Sequence, residues 1–201
     1  MWQLVKVIYS VIAIIFGLLI IVKSLGYFYP DFSQGFLSDK ESVFNGYKYY
    51  LYAHIVAAPI AFFVGGFQLA YPKTKAHKIL GWIYVCSIIL FAAPGGFYMA
   101  FFAIGGAIST INFALMAILW IYFTLNAFLK IKAGDIQKHQ QYMTRSFILT
   151  NSAILIRLFS FVNNHYGLID VTMGYIVISW ISWLPWLLIY EWTIRRNNRF
   201  S

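Results

Sequence analysis

Charge is scarce in this chain and acid scarcer still. Of 201 residues, 10% are charged, and only six are aspartate or glutamate against 15 lysines and arginines. A soluble domain carries roughly a quarter charged residues, and a water-soluble core cannot hide a 61% hydrophobic content at this size. Cysteine is nearly absent too. The lone Cys86 excludes an intrachain disulfide, the lack of CxxCH excludes covalent haem attachment, and the residue reads as a small packing group. No glycine-rich phosphate loop, GxSxG elbow, HExxH motif or pair of catalytic carboxylates occurs, and three of the six acids share one connection. Hydrolase and transferase chemistry therefore has no footing, no metal site is expected, and only a redox role stays open among enzymatic ones.

What is present is a series of long apolar runs, each near the ~20 residues that cross a bilayer core. They cover residues 4–25, 49–71, 78–102, 106–129, 142–162 and 171–194. The pattern predicts an all-α polytopic membrane protein, a bundle of six transmembrane helices forming a single domain over 1–201. The first run follows Lys6 but is too long for a signal-peptide core, and bulky Tyr27, Phe28 and Tyr29 follow it where a cleavage site would need small residues. It is read as a retained helix.

Lysine and arginine set the orientation. Lys73, Lys75 and Lys78 lie in the second connection, Lys130, Lys132, Lys138 and Arg145 around the fourth, and Arg195, Arg196 and Arg199 at the C-terminus. The opposite face carries Lys40 and Lys48 against Asp31, Asp39, Glu41 and Asp170. Basic loops stay in the cytoplasm, which puts both termini there. The net charge of +9 is thus a topology signal that also favours anionic lipid. It is not a nucleic-acid footprint.

The connection over residues 26–48 mixes Tyr27, Phe28, Tyr29, Phe32 and Phe36 with acids, and is expected to lie at the interface as a plug anchoring the first two spans. In Lys130–His139, cations suit a helix end, Gly134 breaks the helix and Asp135 caps the next. Gly65–Gly66, Pro94–Gly95–Gly96 and Gly105–Gly106 mark close helix packing, with a kink at the proline.

Polar residues at membrane depth are costly and so are candidate functional residues. They fall into two layers: His54 and Arg157, with His165 nearby, on the outer side, and His77, His139, Arg145 and Glu191 on the inner side. Arg145 and Glu191 match in depth and sign as an ion pair. Two histidines on facing helices are what bis-histidine haem ligation needs, so His77 with His139, and His54 with His165, would give one haem b site near each membrane face. Capping and interfacial roles explain the same histidines equally well.

Several of these residues form strings: His54 with Gly65–Gly66–Phe67–Gln68; His77–Lys78–Ile79–Leu80–Gly81; His139–Gln140–Gln141–Tyr142–Met143–Thr144–Arg145–Ser146; then Arg157, Pro185 and Glu191–Trp192. Together they resemble the bacterial membrane-protein family called domain of unknown function 2306, over about His54 to Trp192. The resemblance implies a multi-pass protein of the bacterial inner membrane and no activity. It places His54, His77, His139, Met143, Arg145, Arg157 and Glu191 on motif positions and leaves His165 outside them. Three readings remain: a haem-binding electron-transfer protein serving a quinone or redox partner, a non-enzymatic accessory or assembly subunit of a larger membrane complex, and a small-molecule or ion carrier working at His54 and Arg157.

Overall fold

A computed structural model describes residues 2–33, 37 and 40–197. Phe36, Asp39 and Arg199 lie outside this range, and the side chain of Lys6 is outside the described part as well. Among the described residues eight α-helices follow in order: α1 (Trp2–Leu25), α2 (Phe44–Ala70), α3 (His77–Cys86), α4 (Ala93–Ala100), α5 (Gly106–Lys132), α6 (Ile136–Tyr166), α7 (Val171–Ile181) and α8 (Leu184–Asn197). They form two compact units, Met1–Phe102 and Ala103–Ser201, each described by itself below.

Among the described residues five stretches are long and apolar enough to cross a membrane: Glu41–Ala70, His77–Ala100, Gly106–Lys132, Ile136–Tyr166 and Val171–Arg196. A shorter apolar helix covers Ile14–Phe28. The side chains are distributed inside out. On α5, Ile108, Ile111, Leu115, Ile118, Tyr122, Leu125 and Leu129 recur at spacings of three and four and are all exposed, while Ser109, Asn112 and Thr124 are fully buried. Water would penalise that arrangement; hydrocarbon favours it.

In the first unit α2 packs against α1 on one side and against α3, α4 and the segment between them on the other. Gly17 on α1 lets Phe62 and Phe63 of α2 approach so closely that a Cβ there would meet Phe63 at 2.7 Å. Between α3 and α4, residues Ser87–Ala92 widen into a π-helical turn, and the Ala93 N–H reaches back to the Ile88 carbonyl. Pro94 explains the widening, because its ring has no N–H and needs room against the preceding turn. The apolar run therefore continues through the kink as one span.

Two helices begin earlier than the hydropathy runs. α2 starts at Phe44 despite Asn45, Gly46 and Lys48, because Tyr47 and Leu51 are buried with Leu37 in a cluster that Tyr27, Phe32, Phe44 and Tyr98 complete. The aromatic connection covers this end of the unit: Phe28 stacks on Tyr52 at 4.7 Å, and Tyr52 Oη donates to the Tyr27 carbonyl at 3.3 Å. α6 starts at Ile136, where the Asp135 carboxylate accepts the Lys138 N–H at 3.0 Å. Just before it, Gly134 takes φ 77° and the Asp135 N–H reaches the Lys130 carbonyl, which closes α5 with a left-handed glycine.

In the second unit α5 and α6 form the main contact, and α7 packs on both. Gly105, at φ 93°, lies so near α7 that a Cβ would meet Ile176 at 2.5 Å. The last span is interrupted. α7 ends at Ile181 and α8 begins at Leu184, since Pro185 cannot donate to the Ile181 carbonyl. The Ser182 N–H to Ile178 carbonyl and Leu187 N–H to Trp183 carbonyl bonds, both 3.0 Å, keep the break to a single turn.

Two outcomes test this packing. Gly95→Ala would drive a Cβ to 2.6 Å from the Tyr50 carbonyl, whereas at Gly46 the nearest atom would be Tyr98 Oη at 3.7 Å. Thermal unfolding in detergent is expected to show Gly95→Ala destabilised by ~1–3 kcal/mol, and Gly46→Ala unchanged or more stable. Separately, the Lys138 backbone N–H, ahead of the Lys138 side chain, holds the Asp135 carboxyl below its ordinary pKa. A depressed folded pKa gives stability above the unfolded value that is lost as pH falls through the folded one. Wild type is therefore expected to lose stability over the acidic range in which Asp135→Asn shows a flatter profile, measured by unfolding between pH 7 and 3.

Candidate functional site

In the second unit a polar seam runs between α5 and α6. The Trp120 Nε1–H donates to Thr150 Oγ1 at 3.1 Å, and the Thr150 hydroxyl in turn donates to the Ser146 carbonyl at 3.0 Å. Thr124 Oγ1 lies 2.7 Å from Ser146 Oγ and 2.7 Å from the Trp120 carbonyl. A carbonyl only accepts, so the Thr124 hydrogen goes to Trp120 and Ser146 is the donor to Thr124. These hydroxyls lie on the helix faces that meet: Thr124 and Thr150 accept across the seam and return their protons to their own backbones, while Ser146 gives its proton across it.

At one end of the seam Arg145 meets Glu191 of α8. Nε donates to Oε1 at 2.5 Å and Nη2 to Oε2 at 3.0 Å, the parallel fork that guanidinium and carboxylate geometries allow. The Arg145 side chain is 12% exposed and that of Glu191 30%. Three rings surround the cation: Tyr142 at 5.1 Å, Tyr190 at 5.6 Å and Phe123 at 6.0 Å. Carboxylate and aromatic faces together replace the water that the charge gives up.

His139, on the first turn of α6, sets Nδ1 2.8 Å from the Ala127 carbonyl of α5. Because a carbonyl accepts only, Nδ1 carries the hydrogen and Nε2 keeps the lone pair in the neutral ring. Met143 is half-buried one turn further along α6. Arg157 is exposed and donates Nη1 to the Ala153 carbonyl at 3.0 Å. His165 is also exposed, stacked on Phe161 and edge-on to Tyr166 at the end of α6.

In the first unit His54 is the eleventh residue of α2, about 15 Å along it, and so deeper than a helix beginning at residue 49 would place it. Its Nδ1 lies 2.6 Å from the Ala92 carbonyl, the last residue of the π-helical turn. Gly95 and Gly96 leave room for the ring; a Cβ at Gly96 would stand 3.2 Å from Nδ1. His77 begins α3, and its carbonyl accepts the Gln68 Nε2–H at 2.8 Å, while its Nδ1 is buried with no hydrogen-bond partner. His54 and His77 thus belong to the first unit, and His139, Arg145, Arg157 and Glu191 to the second.

Several neutral polar residues, which carry neither charge nor imidazole, are buried as well. Asn112 accepts the Trp183 Nε1–H at 2.9 Å beside the interruption between α7 and α8, and its own Nδ2 has no partner. Gln68 and Ser109 each bury an unpartnered oxygen. The signal available in the sequence was an amide or hydroxyl inside an apolar run. Lys40, expected as an outer-face charge, is 3% exposed. Among the described residues no group of three histidine, cysteine or acidic side chains is placed to hold a metal ion.

Exposed apolar stripes, buried hydroxyl ladders and, among the described residues, five stretches of spanning length define a helical multi-pass membrane protein. Residues 51–194, more than half the chain, match the family described as a predicted membrane protein (DUF2306), and the chain belongs to that family. Neither the curated proteins nor the solved structures contain a match.

Breaking the Arg145–Glu191 fork from one side leaves a half-buried charge. Glu191→Gln and Arg145→Met are each expected to destabilise the protein, by less than the ~3–5 kcal/mol of a fully buried pair because Glu191 is part-exposed. The double variant Arg145→Met/Glu191→Met is expected to recover most of that loss. Additive losses in a double-mutant cycle on thermal unfolding in detergent would rule out the coupling.

Proposed function

We propose that the chain is a six-span protein of the bacterial inner membrane, with both termini in the cytoplasm, acting as a non-enzymatic accessory or assembly subunit of a larger membrane complex. The observation that carries this reading is the Arg145–Glu191 fork inside its three rings. A charge pair that lipid would penalise is closed upon itself, next to hydroxyls that bond helix to helix. Such polar groups fasten a bundle and offer nothing to a substrate. The sixth span is α1, whose exposed Ile14, Ile15, Leu18, Leu19 and Val22 suit lipid contact, and the basic connections favour the cytoplasmic side.

A second reading keeps haem b and electron transfer to a quinone or redox partner. What favours it is the shared treatment of His139 and His54, each with Nδ1 against a backbone carbonyl. Ligating histidines usually have their second nitrogen held in this way, with Nε2 turned to the iron. His77 Nδ1 has no such support. Bound haem would supply one-electron chemistry, and the chain's part would be to orient the imidazoles.

Purification in mild detergent from haem-supplied cells separates the two readings. The accessory reading expects a colourless protein migrating in an assembly larger than the monomer, one that His77→Ala and His139→Ala leave intact. A Soret band lost in His139→Ala would overturn it in favour of haem, and a lone colourless monomer would sink both.

A further inference from the structure

The turn joining α2 to α3 gathers polar atoms that the fold leaves without hydrogen bonds. Gln68, 4% exposed near the end of α2, gives Nε2 to the His77 carbonyl at 2.8 Å. That bond fixes which way the amide points, because the flipped amide would set two oxygens against each other. Gln68 Oε1 is then a buried acceptor with no partner, and Thr74 Oγ1 and His77 Nδ1 are buried and unpartnered as well. The three are neighbours: the His77 N–H bonds the Thr74 carbonyl at 3.1 Å, and the His77 carbonyl holds Gln68.

Positive charge surrounds them. Lys73, Lys75 and Lys78 are exposed on this turn, the first turn of α3 directs its N–H groups toward it, and the sequence holds no acid between Glu41 and Asp135. The turn also joins two helices of membrane-spanning length, Glu41–Ala70 and His77–Ala100. Its depth is therefore that of lipid headgroups.

We propose that this turn is a binding site for the headgroup of an anionic phospholipid that carries a free hydroxyl, with phosphatidylglycerol as the type. The lysine ammoniums, the first-turn N–H groups of α3 beyond His77 and the Thr74 hydroxyl take the phosphodiester. Gln68 Oε1 accepts the headgroup hydroxyl, and His77 Nδ1 meets the headgroup as donor or acceptor according to its tautomer. A phosphate ion would offer the lysines the same charge but no acyl chains, and phosphatidic acid would lack the hydroxyl.

Native mass spectrometry of the full chain in detergent, titrated with phosphatidylglycerol, phosphatidic acid, phosphatidylcholine or inorganic phosphate, tests the site. Phosphatidylglycerol is expected to be retained over phosphatidylcholine. Lys73→Gln/Lys75→Gln/Lys78→Gln should weaken it roughly a hundredfold, about fivefold per lysine, while Lys130→Gln/Lys132→Gln on the other basic connection leaves it unchanged. Gln68→Leu should weaken phosphatidylglycerol and spare phosphatidic acid. Thr74→Val should weaken both, and it carries the test alone if Gln68→Leu does not fold. Three outcomes would each overturn the proposal: phosphatidylglycerol binding unchanged in the foldable variants of Gln68 and Thr74, an equal loss in the Lys130/Lys132 control, or displacement of the lipid by millimolar inorganic phosphate.

Discussion

A hydrogen-bonding group in hydrocarbon has no water to return to, so polar side chains in a membrane bundle are driven toward partners within the protein. In the second unit that constraint accounts for much of the packing. Trp120, Thr124, Ser146 and Thr150 lie on the faces where α5 and α6 meet, and each hydroxyl that accepts across the seam returns its own proton to a carbonyl. Hydrophobic burial cannot choose this register, because lipid tails are as apolar as the side chains they would be exchanged for. The hydroxyl ladder can, since rotating α6 by one residue would leave the Trp120 N–H without its acceptor and take the Ser146 donor from Thr124.

The same constraint governs the breaks. Proline removes a backbone donor, and in lipid the orphaned carbonyls need another arrangement. At Pro94 the helix widens by one residue per turn, and the Ala92 carbonyl at the end of the widened segment lies against His54 of α2. At Pro185 the helix stops and restarts, and the buried Trp183 in the gap reaches Asn112 of α5. Each interruption is thus accompanied by a side chain from a neighbouring helix, which makes the irregular backbone a point of attachment between spans.

How much of this was legible in the sequence differs by level. The helical character and the presence of five stretches long and apolar enough to cross a membrane among the described residues followed from run length and composition, since lipid filters for both. The starts of α2 and α6 did not. Hydropathy sees Asn45, Gly46 and Lys48 as a loop, while Tyr47 and Leu51 pull that turn into the helix by burial against Leu37. Arg145 and Glu191 could be paired from depth and opposite charge, because an unpaired charge at that depth is too costly to ignore. Gln68, Thr74 and Asn112 could not be singled out, because a neutral amide or hydroxyl in an apolar run carries no charge to balance and its burial depends on which helix faces it. Which unit each histidine belongs to was likewise beyond sequence spacing, since it depends on tertiary packing.

The polar groups that remain differ in the chemistry open to them. Arginine does not give up its proton in a protein, and Arg145 is further held by a carboxylate and three rings. The fork is therefore a static fastening, unsuited to proton relay. An imidazole with Nδ1 on a carbonyl is the reverse case. The bond fixes the ring while Nε2 keeps a lone pair able to take a proton or a metal. His139 has its Nδ1 on the Ala127 carbonyl less than two turns from Arg145 on the same helix. The second unit thus sets a closed ion pair beside an oriented imidazole. The ring is held in one orientation by its bond to α5, while the ion pair keeps α6 and α8 in register.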